Sequence, residues 1–258
     1  MSAGHKHRTY DGEVMPIASF FEFIYDRHLI WHKRFVLKQP RPWTQDITLN
    51  RYLFNNVFRE LDKGSKHLIE HVLSDKTYSV EERLYNALFY RRFNVYGFFK
   101  EILPKPLNLQ DWDSWDLIGM FDAHREAKKS IYNVAYNICQ VPIDKNFRPL
   151  DKHVQLILAV KDVVHKRLFK NFRGSAESCY NLLKQAHGIG NFLGFQLLLD
   201  ASYMEDANII GLDRFVICGP GAINGLNMIG CDIRKADKAL RRGMRSDRAG
   251  KNRQRKSP

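Results

Sequence analysis

Apolar residues recur along this chain mostly with the three- and four-residue spacing of amphipathic α-helices. Leu156, Val160 and Val163, for example, share one face of a helix. Runs in which apolar and polar residues alternate, as in strands, are scarce, so the pattern predicts an all-α protein. The predicted helices cover residues 17–38, 46–61, 65–74, 80–103, 114–128, 151–171, 175–187, 191–204 and 232–242.

Prolines mark the breaks between these helices. Pro40 and Pro42 end the first long helix and form an extended joint. The loop over residues 142–149 is too short and too apolar for a domain linker. The chain is therefore predicted to have three regions: a flexible N-terminus over residues 1–15, a single helical domain over 16–242 and a basic disordered tail over 243–258.

The charge of the chain favours a polyanionic partner. Its 258 residues include 41 Lys and Arg against 28 Asp and Glu, which gives a formal net charge of +13. Eight of these basic residues lie within residues 241–258, so the rest of the chain is only moderately basic. Nucleic acid is the first candidate partner, although a basic tail can also be merely solubilising.

The spacing of the cysteines and the lack of a long apolar run indicate where in a cell the protein is expected. The four cysteines are far apart and form no Cys-x-x-Cys pair, so neither a disulfide framework nor a zinc ribbon is expected. The chain has no apolar run of about 18 residues, and its polar start does not resemble a secretion signal. We expect a cytoplasmic protein without a membrane partner, in a host cell if a phage encodes it.

Motifs for common cofactors are missing from the sequence. The pairs His28/His32 and His67/His71 have helical spacing but lack the glutamate of a His-Glu-x-x-His metal site. No Gly-x-x-x-x-Gly-Lys-Ser/Thr loop is present for nucleotide phosphates. We therefore expect no metal and no cofactor.

A short glycine-containing segment connects two of the predicted helices. Gly188 and Gly190 flank one apolar residue, between His187 and Asn191. Glycine allows a positive φ and a close approach to another surface, and backbone N–H groups at a helix start can bind a phosphate. These four residues are candidate DNA-binding residues of a helix-hairpin-helix. In the alternative interpretation the glycines only end one helix and begin the next.

Polar residues between 43 and 62 form a first candidate cluster. Trp43, Thr44 and Asp46 precede the predicted helix over 46–61. On that helix Asn55, Arg59 and Asp62 would project from one face, where they could contact a base or a phosphate. Alternatively, this face is solvated and carries an ordinary Arg59–Asp62 ion pair.

Basic and aromatic residues alternate in a second cluster, Tyr90-Arg91-Arg92-Phe93-Asn94. Nucleic-acid surfaces use such interleaving for base stacking and phosphate contact. The alternative is that the aromatic residues belong to the core and the arginines to the outer face of a helix.

A third cluster contains Asp213, Gly219 and Gly221. A carboxylate at this place could stabilise a cation or accept a proton, and the glycines could allow the backbone to approach a substrate. Alternatively, Asp213 caps a helix and the glycines form a plain turn.

Taken in order, these segments resemble a family of phage DNA-hypermodification proteins. The family comprises the amino acid:DNA transferases, or α-glutamyl/putrescinyl-thymine pyrophosphorylases, and the resemblance extends to the helical domain of the related 5-hydroxymethyluracil DNA kinases. It covers most of the chain. It rests on Phe20–Ile24 with Arg27 and Arg34, Pro42–Thr44 with Asp46, Asn56, Arg59 and Asp62, Tyr90–Asn94, Ala135-Tyr136, Gly188–Gly190, Asp200, Gly219–Ala222 and Gly225-Leu226.

The resemblance implies a helix-hairpin-helix fold related to DNA glycosylases. It also implies a reaction on phage DNA, in which a phosphorylated 5-hydroxymethyluracil exchanges its phosphate or pyrophosphate for an amine. The partners would be double-stranded DNA with the activated base, a small amino acid or polyamine and, for a non-catalytic module, a DNA kinase. The product would help the DNA escape host nucleases.

The resemblance also leads us to assign roles to the candidate residues. Arg59 and Arg91 would bind the phosphates, Trp43 would stack on the base, and an aspartate would accept the proton of the amine. The candidates for that aspartate are Asp46, Asp62 and Asp213, and the other predicted substrate contacts are Thr44, Asn56, Gly219 and Gly221.

Two other functions remain open. A glycosylase would use the same pocket to release a free base, although Phe192 occupies the place where a lyase-type glycosylase carries its lysine. A non-catalytic module could instead read DNA and recruit a separate kinase.

Overall fold

A computed structural model describes residues 17–52, 54–103, 105–133 and 152–231, and these residues confirm the all-α prediction. In chain order the helices are α1 Ile17–Trp31, α2 Ile47–Arg51, α3 Lys63–Leu68, α4 Val80–Phe93, α5 Tyr96–Ile102, α6 Asp111–Ser114, α7 Leu117–Glu126, α8 Lys152–His165, α9 Ala176–Leu183, α10 Asn191–Ala201 and α11 Pro220–Met228. The strands β1 Gly174–Ser175 and β2 Ile209–Ile210 form one short parallel pair.

The chain divides into two compact units. The first contains the described residues up to Val57 and those from Cys218 onward, and the second is Phe58–Ile217. The single helical domain over 16–242 stays a prediction. The predicted terminal regions and the predicted helix over 232–242 lie largely or wholly outside the described residues.

In the first unit, α1 continues as a π-helical turn, His32–Val36, in agreement with the predicted helix over 17–38. A cis peptide joins Arg41 to Pro42, and α2 follows. No residue of α1 is buried, and the described residues of this unit are mostly exposed or half-exposed.

The predicted helix over 46–61 is wrong. α2 ends at Arg51, because Tyr52 adopts an extended conformation with φ −106° and ψ 151°. Arg59 then lies in a separate 3-10 turn, and Asp62 is the N-cap of α3. Asn55, Arg59 and Asp62 therefore do not share one helix face.

The second unit is built around α4. Ser79 and Glu82 form a capping box at its start, and nearly every residue of the helix is buried. Asn94 ends it with a left-handed φ of 53°, which divides the predicted helix over 80–103 into α4 and α5. The core beside α4 is strongly aromatic, with Phe89, Phe93, Phe98, Phe99, Trp112 and Phe121 in mutual ring contact.

The other predicted helices of this unit are present with shifted ends. α3 continues as a π-helical turn, Ile69–Leu73, and the helix predicted over 114–128 is α7, preceded by the short α6. α9 and α10 end before the predicted limits. Within the described ranges no helix is long and apolar enough to cross a membrane.

Candidate functional site

The segment between α9 and α10 has the backbone geometry that its glycines predict. Gly188 has a φ of 71°, in the left-handed region that favours glycine. Gly190 is the N-cap of α10, and no side chain caps this helix start. Ile189 between them is buried in the core, which anchors the connection between the two helices.

Arg92 of α4 holds this connection from the inside. Its fully buried guanidinium donates to the carbonyl oxygens of His187 and Gly188, at 2.6 and 3.1 Å. Because the C=O and N–H of a trans peptide point in opposite directions, the N–H groups of Gly188 and Ile189 point away from Arg92. The N–H of Ile189 donates to Ala186, whereas that of Gly188 has no acceptor within the described chain.

Asn191 is part of the same connection. Its Oδ1 accepts from Lys184 Nζ at 2.7 Å and from the Tyr180 hydroxyl at 3.1 Å. These bonds tie the start of α10 to α9. His187 and Lys184 are both exposed and add two basic groups to this surface.

Arg59 and Arg91 meet, but on a buried carboxylate. Asp200 of α10 is 1% exposed and accepts from Arg91 Nε and Nη2, both at 2.8 Å, and from Arg59 Nη2 at 2.6 Å. Arg59 also donates to the side chain of Gln196, and Arg91 to Ser65 Oγ at 3.1 Å. Two guanidinium groups thus neutralise and fully ligate one buried carboxylate.

This arrangement differs from the exposed phosphate contact expected of Arg91. Burial alone would lower the pKa of Arg91, but the charge and hydrogen bonds of Asp200 raise it, so the guanidinium stays ionised. The predicted Arg59–Asp62 pair is not formed, because Arg59 binds Asp200 instead. Phosphate binding by Arg59 and Arg91 stays a prediction, and the structure gives both of them a protein partner.

The role of Asp200 was missed. The sequence did contain a signal, since Asp200 follows three leucines in an otherwise apolar helix. A carboxylate in such a run must be either exposed or paired, because an unpaired buried charge is very costly.

The three candidate aspartates lie in different environments. Asp46 caps α2 by accepting from the N–H of Leu49 at 2.7 Å, and Asp62 caps α3 by accepting from Ser65 at 2.9 Å. Asp213 lies in a 3-10 turn with its side chain 76% exposed, and it does not cap a helix. Asp46 belongs to the first unit, whereas Asp62 and Asp213 belong to the second.

The first unit contains a pocket of about 120 Å³. It brings together Trp43, Thr44 and Asn56, which were predicted to contact a substrate. The full lining is Arg27, Ile30, Trp31, Arg34, Phe35, Arg41, Trp43, Thr44, Leu49, Asn50, Tyr52, Phe54, Asn55 and Asn56.

Cationic and aromatic groups dominate this pocket. No aspartate or glutamate lines it, although three arginines do. The guanidinium carbon of Arg34 lies 5.2 Å from the ring centroid of Trp43, and that of Arg41 lies 4.8 Å from it. Burial lowers the pKa of Arg27, which donates to the carbonyl of Asn55. The pocket therefore suits an anion that also carries a planar ring.

Two backbone contacts fix Trp43 in this pocket. The indole Nε1 of Trp43 donates to the carbonyl of Gln39 at 2.8 Å. The carbonyl of Trp43 accepts from Lys33 Nζ at 2.9 Å. Sequence reasoning missed Arg41 as a pocket residue. Its signal is its position directly before Pro42 and Trp43, where a cation and an indole are neighbours.

Gly219 and Gly221 lie at the start of α11 rather than in a turn. Gly219 is the N-cap and Pro220 the first helical residue. A Cβ on either glycine would meet nothing within 4 Å, so packing within the described chain does not require glycine there. Substrate contact by these two residues stays a prediction.

Comparison with known proteins identifies the class to which this helical chain belongs. Residues 15–252 match the family model described as "5-hmdU DNA kinase, helical domain", and the chain belongs to that family. This confirms the predicted relation to the helical domain of these kinases.

One curated relative is a "5-hmdU DNA kinase" of Bacillus phage SP10, which is 24% identical over 236 residues. The alignment covers 83% of this chain and 36% of the relative, so the chain spans about a third of that protein's length. No solved structure matches the chain.

Proposed function

We propose that this chain binds DNA carrying a phosphate-activated 5-hydroxymethyluracil and replaces the phosphate or pyrophosphate with an amine. The observation that carries the proposal is the pocket of the first unit, which is lined by Trp43 and three arginines, Arg27, Arg34 and Arg41, without any carboxylate. Membership of a family named for 5-hmdU DNA kinases supports a hydroxymethylated base as the substrate.

The pocket suits both parts of the activated base. Trp43 offers an indole for stacking on a pyrimidine, and base–aromatic stacking contributes about 1–3 kcal/mol. Arg34 and Arg41 lie beside that indole and can bind phosphate oxygens in the bidentate way that a guanidinium allows. A base in this pocket would have to leave the duplex stack, because an indole cannot stack on a paired base from the groove.

The reaction needs a leaving anion and a neutral amine. The amine nitrogen forms a bond to the 5-methylene carbon, while the C–O bond to phosphate breaks and the phosphate leaves with the electron pair. Arginines beside the phosphate stabilise the charge that develops on it. The proton of the new ammonium goes to a carboxylate, and Asp46 is the candidate that belongs to the same unit as the pocket.

The connection between α9 and α10 would hold the DNA backbone as a helix-hairpin-helix. The N–H of Gly188 points away from Arg92, and the uncapped start of α10 offers further donors. Exposed Lys184 and His187 are placed for the same phosphates. Such contacts position DNA without reading its sequence.

A non-catalytic module is the second candidate. It is favoured by one observation, that no aspartate or glutamate lines the pocket around Trp43 to act as a base. In that case the pocket would bind the base for a kinase that acts on it. A glycosylase that releases the modified base is the third possibility.

One experiment separates the three functions by their products. Duplex DNA with pyrophosphorylated 5-hydroxymethyluracil is incubated with the protein and with glycine, glutamate, serine or putrescine, and is then digested to nucleosides for mass spectrometry. We expect a nucleoside heavier by the amine. Abasic sites would instead identify a glycosylase, and unchanged nucleosides would contradict both enzymes.

A matched pair of variants links the activity to the pocket. Arg34→Gln should weaken binding of the activated duplex about tenfold, because it removes one charge-assisted contact to phosphate. Arg51→Gln is the control, since Arg51 is an exposed arginine in α2 that does not line this pocket. Equal binding by the two variants would contradict the assignment.

A further inference from the structure

The second unit contains a separate cavity of about 250 Å³ between α3, its π-helical extension and α5. His67 and His71 line one side, and Tyr96, Lys100 and Lys105 line the other. π-helical turns are rare and occur often at functional sites. The cavity is twice the volume of the pocket around Trp43 and shares no residue with it.

The ionisable side chains that line this cavity are basic, apart from the tyrosines. No aspartate or glutamate lines it, and four of its residues are lysine or histidine. Lys105 Nζ lies 3.8 Å from Asp111, whereas Lys100 makes no ion pair with any residue that the structure describes. The lining therefore combines two lysine ammonium groups with two imidazoles and no anion, so its electrostatic potential favours an anionic ligand.

The pKa of His67 reflects the positive charges around this cavity. The ring centroids of His67 and His71 are 4.6 Å apart, and the edge of His67 faces the ring of Tyr96 at 5.3 Å. The pKa of His67 is lowered by burial, then by the charges of His71 and Lys100, while Glu70 acts weakly in the other direction. A further positive charge is therefore disfavoured at the place where an anion would be favoured.

The remaining lining is apolar and aromatic. Leu68 and Phe99 are buried beneath the cavity, and Val72 and Leu103 line it as well. A ligand could thus place a charged end against the lysines and histidines and an apolar part against these side chains. Pockets for drug-sized ligands are larger, commonly about 300–1,000 Å³, so the space suits a compact molecule.

We propose that this cavity binds a small organic anion, with its phosphate or carboxylate between Lys100 and the pair His67/His71. The proposal does not depend on the function proposed for the pocket around Trp43. The two can fail separately, because the residues involved are different.

The test is an NMR titration of the full chain. Inorganic phosphate, glutamate and putrescine are added at constant ionic strength, and the ring resonances of His67 and His71 are followed. We expect phosphate or glutamate to shift both rings in a saturable way and to raise the pKa of His67, while the cation putrescine does neither. Shifts that are absent, or equal for all three compounds, would overturn the proposal.

Two lysine variants make the test local. Lys100→Gln should weaken the anion about tenfold, because it removes one charge from the site. Lys63→Gln is the matched control, since Lys63 is exposed on α3 and does not line the cavity. Equal affinities would refute the site. The site would also be refuted if a DNA duplex shifted the ring resonances of both histidines and the small anions did not. The histidines would then contact the DNA backbone.

Discussion

The two units use arginine in opposite ways. In the second unit Arg91 and Arg92 are buried, and their donors are directed at Asp200 and at the carbonyls of the connection between α9 and α10. In the first unit Arg34 and Arg41 are exposed beside Trp43, with no carboxylate in the pocket lining. The buried arginines of the second unit direct their donors at protein acceptors, whereas the exposed arginines of the first unit can direct theirs at a ligand.

This difference shows how to separate structural from binding arginines. A buried guanidinium with a carboxylate partner is costly to disturb, because removal of one partner leaves an uncompensated charge. An exposed guanidinium contributes little to stability but can contribute much to binding. Stability and affinity should therefore respond to different arginines.

The largest effect is expected at the carboxylate shared by Arg59 and Arg91. Asp200→Asn should lower the free energy of unfolding by about 3–5 kcal/mol, because it leaves two guanidinium groups without their anion. Equilibrium unfolding in urea measures this loss. Asp213→Asn is the control and should remain within about 0.5 kcal/mol, since its side chain is 76% exposed. Similar losses in both variants would remove the distinction between buried and exposed charges.

Arg92 should couple stability to DNA binding. Arg92→Met should cost about 3 kcal/mol, because the carbonyls of His187 and Gly188 lose a charged donor. At a temperature where the variant is folded, its affinity for duplex DNA should fall about tenfold with little change in the salt dependence, because the buried guanidinium is directed at protein carbonyls.

The control for this variant is Lys184→Gln, which removes an exposed charge from the same connection. The salt dependence of its DNA affinity should correspond to about one fewer released counterion. If Arg92→Met showed that loss instead, Arg92 would itself contact the DNA.

Substitution of Arg34 should change the free energy of unfolding much less than substitution of Arg91. Arg34→Gln should leave the free energy of unfolding within about 0.5 kcal/mol of the parent, since this side chain is exposed. Arg91→Gln should cost several times more, because Asp200 would lose its bidentate partner. Thermal unfolding of both variants would show whether the two clusters differ as described.

The smallest loss of stability is expected from removing the N-cap of α3, Asp62. Asp62→Ala should cost about 1 kcal/mol by removing the cap of α3, whereas Asp62→Asn should be nearly neutral because asparagine is also a good cap. Chemical denaturation of the two variants measures the difference. An unchanged Asp62→Ala variant would show that the bond to Ser65 contributes nothing.

Periodicity was sufficient to predict most of the helices but not their ends. The helix over 17–38 and those over 175–187 and 191–204 were recognised because each buries or presents a regular apolar stripe. The break at Tyr52 could not be predicted, since it depends on the conformation of a few residues and interrupts no obvious pattern.

Residues that are neighbours in sequence could be grouped correctly, since Trp43 and Thr44 line one pocket. Their contact with a substrate stays a prediction. The burial of Arg91 against Asp200 could not be predicted, because the two residues are 109 positions apart. Spacing along a helix identifies a face, but it does not say whether another element covers that face.

The bonds from Arg92 to His187 and Gly188 also have a consequence for local unfolding. A loop that is only solvated can open by itself, whereas this connection cannot open without stripping a buried guanidinium of both acceptors. The amide hydrogen of Ile189, which donates to the carbonyl of Ala186, should therefore exchange with solvent almost as slowly as those of α4. If this connection binds DNA as proposed, it would then be as rigid before DNA arrives as afterwards.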